Sequence, residues 1–184
     1  MNLTNQFLIA MPAMADPNFS GSVIYVCEHT EDKGALGLVI NRPTDLTLER
    51  LFDKIDLKLE IQPWRDAPVF FGGPVQSERG FVLHEPAGPY SSSLAVAEGI
   101  ALTTSKDVLE AVAGGGGPQN LLVTLGYSGW GSGQLESEIA QNAWLTVDAD
   151  RRVIFETPTE QRFAAALRLL GVDSMQLSGQ FGRA

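Results

Sequence analysis

Ser22-Val23-Ile24-Tyr25-Val26-Cys27 and, after the polar turn Glu31-Asp32-Lys33-Gly34, Ala35-Leu36-Gly37-Leu38-Val39-Ile40 are the two runs that decide the fold class. Both are short, apolar and rich in β-branched residues, and turn formers bound them, so they read as a hairpin of two largely buried strands. Strand alternation puts Val23, Tyr25 and Cys27 on one face and Ile24 and Val26 on the other. Both faces are apolar, so the sheet needs cover on both sides. Asn41-Arg42-Pro43 ends the second run, because proline has no amide hydrogen for the ladder.

Working outward, Phe7-Leu8-Ile9-Ala10 is a further short strand, stopped by Met11-Pro12. Beyond the hairpin, Leu48, Leu51, Phe52 and Ile55 fall at i, i+3, i+4 and i+7, the apolar face of a helix starting near Thr47. Leu46 and Leu51 then occupy the positions of a hydrophobic staple around a Thr47 cap. Val69-Phe70-Phe71, Gly80-Phe81-Val82-Leu83-His84 and Ile100-Ala101-Leu102-Thr103 read as strands, the first two separated by Gly72-Gly73-Pro74. Thr104 with Asp107 resembles a capping box for a helix bearing Val108, Leu109 and Val112, which Gly114 to Pro118 stops. Leu121-Leu122-Val123-Thr124-Leu125 is the central-strand candidate and runs into a glycine-rich loop, Gly126-Tyr127-Ser128-Gly129-Trp130-Gly131. A short helix carries Leu135 and Ile139, with Glu136 and Glu138 near its N-terminus. Trp144 to Val147 is a strand; the apolar run Val153-Ile154-Phe155 follows a turn around Ala149-Asp150, and a helix carries Phe163, Ala166, Leu167 and Leu170. The pattern predicts an α+β fold: one compact domain over residues 1–184, a mixed or largely antiparallel sheet flanked by short helices, and poorly ordered tails at 1–5 and 174–184.

Composition narrows the function. The 184 residues are 44% hydrophobic and 19% charged, enough for a contiguous core. The net charge of −9 opposes a polyphosphate partner, and the sequence shows no helix-turn-helix, so no direct specific DNA binding is expected. One cysteine allows no internal disulfide, which fits a reducing compartment. There is no run of about 18 apolar residues, and the first basic side chain is Lys33, so neither a spanning helix nor a basic leader is read and the expected location is the cytoplasm.

Several residues could carry chemistry. Gly114 to Gly117 resembles a phosphate loop, but a Walker loop needs Lys followed by Ser or Thr and a helix after the glycines, so the run reads as a helix stop. Gly126-Tyr127-Ser128-Gly129-Trp130 nearly matches a nucleophile elbow. However, Trp130 replaces the last glycine and both histidines precede the serine, so a loop presenting Tyr127 and Trp130 is the better reading. Cys27 and His29 stand at i, i+2, on one face if the strand is regular, and with His84 they form the alternative, a thiol redox sensor or enzyme. Three such residues are a thin donor set for zinc, so no metal and no cofactor is expected. Arg42 and Arg79 each could fork onto an anion, with internal pairing to Glu136 or Glu138 as the favoured bland alternative.

Taken together, Phe7 to Pro12 with Asp16-Pro17 and Phe19, Cys27-Glu28-His29, Gly34-Ala35 with Gly37 to Pro43, Gly72-Gly73-Pro74-Val75, Arg79 to His84, Gly126-Tyr127 with Gly129-Trp130, and Gly133-Gln134-Leu135-Glu136 through Asn142 to Trp144 resemble the bacterial YqgE/AlgH family, UPF0301. The matches run in order from about residue 7 to residue 171. The resemblance implies a single α+β domain without an established reaction. It also carries a transcriptional-regulator label, which the acidic charge makes an indirect role. The favoured function is a non-enzymatic module that binds an unknown protein or small ligand through Asn41, Arg42, Gly72, Gly73, Arg79, Tyr127, Gly129, Trp130 and Glu136, with no catalytic residue.

Overall fold

The computed structural model describes residues 1–59 and 64–172. The expected hairpin is present as β2 (Val23–Thr30) and β3 (Gly34–Val39), and β1 (Gln6–Ala10) pairs antiparallel with β2. The main sheet runs in the order β10 (Trp144–Asp148), β1, β2, β3, β9 (Asn120–Trp130), β6 (Val75–Glu85), β8 (Ile100–Thr103), β7 (Ser93–Ala97). Two short strands lie off this path: β4 (Pro43–Thr47) pairs with β5 (Pro68–Phe71), and β5 runs parallel to β9. Every other pairing is antiparallel. The fold is α+β, a largely antiparallel sheet with, among the described residues, five short α-helices: α1 (Leu48–Lys54), α2 (Asp107–Ala113), α3 (Gln134–Ala140), α4 (Arg151–Phe155) and α5 (Arg162–Leu169).

The sheet curls, and each of its apolar faces is covered. Phe7, Tyr25, Cys27 and Leu38 from the first strands meet Phe81, Leu83 and Leu102 from the last ones in one cluster, which Val153 and Ile154 of α4 and Ala166 and Leu167 of α5 close. On the reverse of β1, β2 and β3, the side chains of Leu8, Ile24, Val26 and Val39 pack with Trp130, Trp144 and Leu135 of α3. A third cluster joins α1 and α2 to Val69, Val82 and Val123. The both-faces-apolar alternation of Val23 to Cys27 therefore has the two-sided cover that it requires.

Local chemistry sets the helix ends. Thr47 Oγ1 accepts from Arg50 N at 3.3 Å, and Leu46 and Leu51 pack on the same cluster, so the expected cap and staple are both present. At the end of α2, Gly115 N donates to Val112 O and Gly116 N to Ala111 O, with Gly115 at φ +87°, the left-handed turn of a Schellman motif. The glycine run is a helix stop.

Several expectations need correction. Pro43 opens β4 rather than simply ending β3, which is allowed because it is the first residue of a strand that pairs only with β5. Gly126 to Trp130 is not a loop: β9 continues through it, because β6 and β3 offer it partners. The run Val153-Ile154-Phe155, to which the sequence assigns no element, is helical, capped by the Asp150 side chain accepting from Arg152 N. Lys106, not Thr104, precedes α2, and no side chain caps that end. Residues 1–5, expected as a loose tail, are fastened: Leu3 is buried, its amide donates to His29 Nδ1 at 3.0 Å, and Asn5 N donates to Val26 O. The other expected tail, 174–184, lies outside the described residues.

Candidate functional site

Between Val26 and Glu28 the β2–β3 register shifts by one residue: Val26 faces Gly37, and Glu28 faces Leu36. This bulge keeps Cys27 and Glu28 on the same side of the strand and turns His29 to the other. Glu28 is thereby aimed into a groove of about 390 Å3, where β3 and β9 pair Leu36 with Gly129. Leu36, Gly129, Tyr127, Thr30 and Lys33 line it together with Glu28. Gly129 brings no side chain to the groove: a Cβ there would stand 3.2 Å from Tyr127 Cε2 and 3.8 Å from Val75 Cγ2. Glu28 and Lys33 are exposed, and neither side chain is in an ion pair among the described residues. A groove lined by Leu36 and Tyr127 as well as by charges of opposite sign can hold an apolar side chain while its neighbours meet a carboxylate and an ammonium.

The proposed binding residues do not converge as one surface. Tyr127 and Gly129 belong to the groove, and Arg79 stands beside Tyr127: its guanidinium lies 5.7 Å from the Phe81 ring centroid, and Phe81 meets Tyr127 edge-on. Trp130 gives the groove only its margin, for its ring turns to the opposite sheet face, 5% exposed, stacked on Phe19 and edge-on to Trp144. Arg42 donates to the carbonyls of Pro17, Asn18 and Ser20, and Asn41 bonds Val23 N and Gly21 O, so both fasten the 17–23 turn to the end of β3. Both arginines are held internally, but by carbonyls and rings rather than by Glu136 or Glu138. Gly72 and Gly73 are buried against the β9 backbone, where Gly72 O accepts from Val39 N and from Ser128 Oγ. Ser128 is fully buried in that bond, which disposes of the nucleophile elbow.

The alternative redox centre is not assembled either. Cys27 is 1% exposed and faces the cluster closed by α4 and α5. Burial raises its thiol pKa well above the usual range, and the Glu28 charge adds to the rise. His29, turned by the bulge, accepts from Leu3 N at Nδ1, so Nε2 carries the proton that faces Glu136 Oε2 at 3.3 Å. His84 lies on the α1–α2 side of the sheet. Its Nδ1 donates to Pro86 O and its Nε2 accepts from Thr103 Oγ1 at 2.6 Å, with Tyr90 edge-on. Burial lowers the His84 pKa, opposed by the bond to Pro86 O. The three side chains thus face three different environments, and among the described residues no group of three or more His, Cys, Asp or Glu could hold a metal ion. No described helix is long and apolar enough to cross a membrane.

Reading the sequence did not single out Glu28, Thr30, Lys33 or Leu36. Glu28 enters the sequence reading only within the Cys27-Glu28-His29 motif, and the bulge is what makes it a groove residue. The pairing of Leu36 with Gly129 is a register fact that no local pattern carries.

Comparison with known proteins gives a consistent result. A family model described as AlgH-like (DUF179) matches residues 7–175. A UPF0301 protein of Cupriavidus pinatubonensis is 68% identical over 184 residues, covering all of this chain and 96% of the relative. One from Ralstonia nicotianae is 67% identical over 184 residues with the same coverage. The solution structure of the AlgH protein from Pseudomonas aeruginosa superposes with a TM-score of 0.81 at 46% identity, over 100% of this chain and 95% of that one. A crystal structure from Corynebacterium diphtheriae shares the fold alone, with a TM-score of 0.70 at 18% identity over 90% of this chain and 86% of that one.

Proposed function

The chain belongs to the AlgH-like family, UPF0301, and on that premise we propose that it is a non-enzymatic binding module whose groove at Leu36, Gly129 and Tyr127 receives a peptide segment of a partner protein. The observation that carries this reading is one groove lined both by Leu36 and the side-chain-free Gly129 and by the exposed charges of Glu28 and Lys33. A peptide that places an apolar side chain over Gly129, with a basic neighbour toward Glu28 and an acidic one toward Lys33, meets complementary chemistry at each point. Charges of both signs favour such a segment over a polyanion, and the net charge of −9 does so again. A regulatory role then acts through the partner rather than through contact with DNA, in a cytoplasmic protein.

The test is selection of peptides from a random displayed library against the full chain, followed by titration of the enriched sequences. Enriched peptides should perturb the amide resonances of Leu36, Tyr127 and Gly129 and bind roughly tenfold or more weakly to Gly129→Val. Replacing Glu28 by Lys should reverse the preference at one peptide position. Peptides that bind the Gly129→Val chain as well as the native one, or that map elsewhere, would refute the groove as the recognition surface.

A further inference from the structure

Arg162, the first residue of α5, is the one Lys, Arg, Asp or Glu side chain buried among the described residues, at 8% exposure. Its Nε donates to Thr157 O at 3.1 Å and its Nη1 to Ile40 O at 2.5 Å, while the guanidinium carbon lies 5.1 Å from the Phe70 ring centroid. Nη2 has no hydrogen-bond partner among the described residues, and no carboxylate there forms an ion pair with this side chain. A desolvated cation is normally paired, because its burial is otherwise uncompensated. Burial pushes its pKa down to about 10, and the exposed Glu160 opposes that fall, so the group is charged at neutral pH.

The guanidinium also lines a cavity of about 160 Å3. Apart from Thr159, which supplies the one lining hydroxyl, and the indole of Trp64, the other lining side chains are aliphatic or phenyl, with Phe70, Leu122 and Ile154 buried and Trp64 and Phe155 half-buried. We infer that this cavity binds a small monocarboxylate with an apolar body, its carboxylate on Arg162 and its body between Phe70, Leu122 and Ile154. A guanidinium presents planar donors that match a carboxylate, which would supply the counter-ion that the described residues do not. Size agrees, since an apolar cavity of about 150 Å3 accepts a benzene molecule. A phosphate dianion would find a single cation and an apolar wall, which suits one negative charge better than two. The site is separate from the Leu36–Gly129 groove and does not depend on that reading.

Benzoate and its uncharged isostere benzamide are the probes, titrated into the full chain by calorimetry with amide resonances followed in parallel. Benzoate should bind saturably, shift Phe70, Leu122 and Ile154, and bind roughly tenfold or more tightly than benzamide. Arg162→Met, with folding confirmed by its resonance dispersion, should erase the preference for the charged probe. Ala67→Met retains the arginine and narrows the cavity, so it should weaken benzoate binding while leaving the rest of the spectrum in place. Equal affinity for the two probes, shifts confined to other residues, or no saturable benzoate binding would overturn the inference. Tighter binding of inorganic phosphate at the same residues would overturn the monocarboxylate class.

Discussion

Cys27 and His29, two residues apart on one strand, face opposite sides of the sheet. A regular strand would put them together, and the bulge after Val26 is what separates them. Cys27 therefore has apolar neighbours where a reactive thiol would need a cation, while His29 is engaged by Leu3 N and Glu136.

A chemically quiet thiol is the first expected outcome. Burial holds the Cys27 pKa above its ordinary value, so almost no thiolate is present at neutral pH. Maleimide should label the native protein only as fast as it opens, and urea should raise the rate to that of a free thiol. Cys27→Ser should cost about 1–3 kcal/mol in denaturant unfolding, because the hydroxyl replaces a buried sulfur whose one hydrogen-bond partner among the described residues is Tyr25 O at 3.7 Å. Native labelling at the free-thiol rate would restore the redox reading.

Glu138 should matter more for stability than its place on a short helix suggests. Its Oε1 accepts from the indole nitrogens of Trp130 at 3.0 Å and Trp144 at 2.9 Å, tying α3 to two strands. Glu138→Ala leaves both indole donors unpaired in an aromatic cluster with Phe19, and should cost about 2–4 kcal/mol with a shift in tryptophan emission. Glu138→Gln retains an acceptor and should lose less. An alanine variant as stable as the native chain would show that water serves the two indoles equally well.

What the sequence disclosed follows a physical division. The hairpin, the Thr47 cap with its staple and the stop after α2 are written in residues a few positions apart, where periodicity and capping chemistry act. The β4 strand at Pro43, the extension of β9 through Gly126 and the bulge at Cys27 depend on what distant strands offer as partners. The candidate surface divided in the same way: Tyr127 and Gly129 were legible as a glycine-aromatic cluster, but one step of strand alternation takes Trp130 to the other face. Arg162 was hidden because a lone arginine opening an amphipathic helix looks solvated until Ile40 and Phe70 are brought over it.

The pH dependence of stability has a component that His84 should set. Desolvation lowers its folded pKa below 6.5, so the unfolded chain binds the proton more readily. The contribution is fully present above the unfolded pKa and is lost as the pH falls through the folded one. Urea midpoints should therefore fall between about pH 7.5 and 5.5 in the native protein and fall less in His84→Asn. Glu85, Asp107 and Asp150 have lowered pKa values, so their stabilisation is lost only at more acidic pH. Parallel pH profiles in the two proteins would exclude His84 as the source.

Two glycines that the sequence placed in one binding surface should separate by function. Gly73 has φ +153°, and a Cβ there would lie 2.1 Å from the Tyr127 carbonyl carbon, an atom of the β9 backbone that cannot move without disturbing the sheet. Gly73→Ala should thus destabilise the protein by about 3 kcal/mol or more, through clash and strain together. Gly129 is exposed and has no positive φ, and the nearest obstacle to a Cβ is the ring edge of Tyr127 at 3.2 Å, which a small rotation relieves. Gly129→Ala should change stability by less than about 1 kcal/mol while adding a methyl group to the groove lining. Denaturant unfolding and peptide titration of the same two variants distinguish the roles. Native-like stability with weakened peptide binding in Gly129→Ala, beside a strongly destabilised Gly73→Ala, is the expected pair. Unchanged peptide affinity in a folded Gly129→Ala would mean that Gly129 does not meet the ligand, and comparable loss of stability in both would make Gly129 one more packing glycine of the sheet.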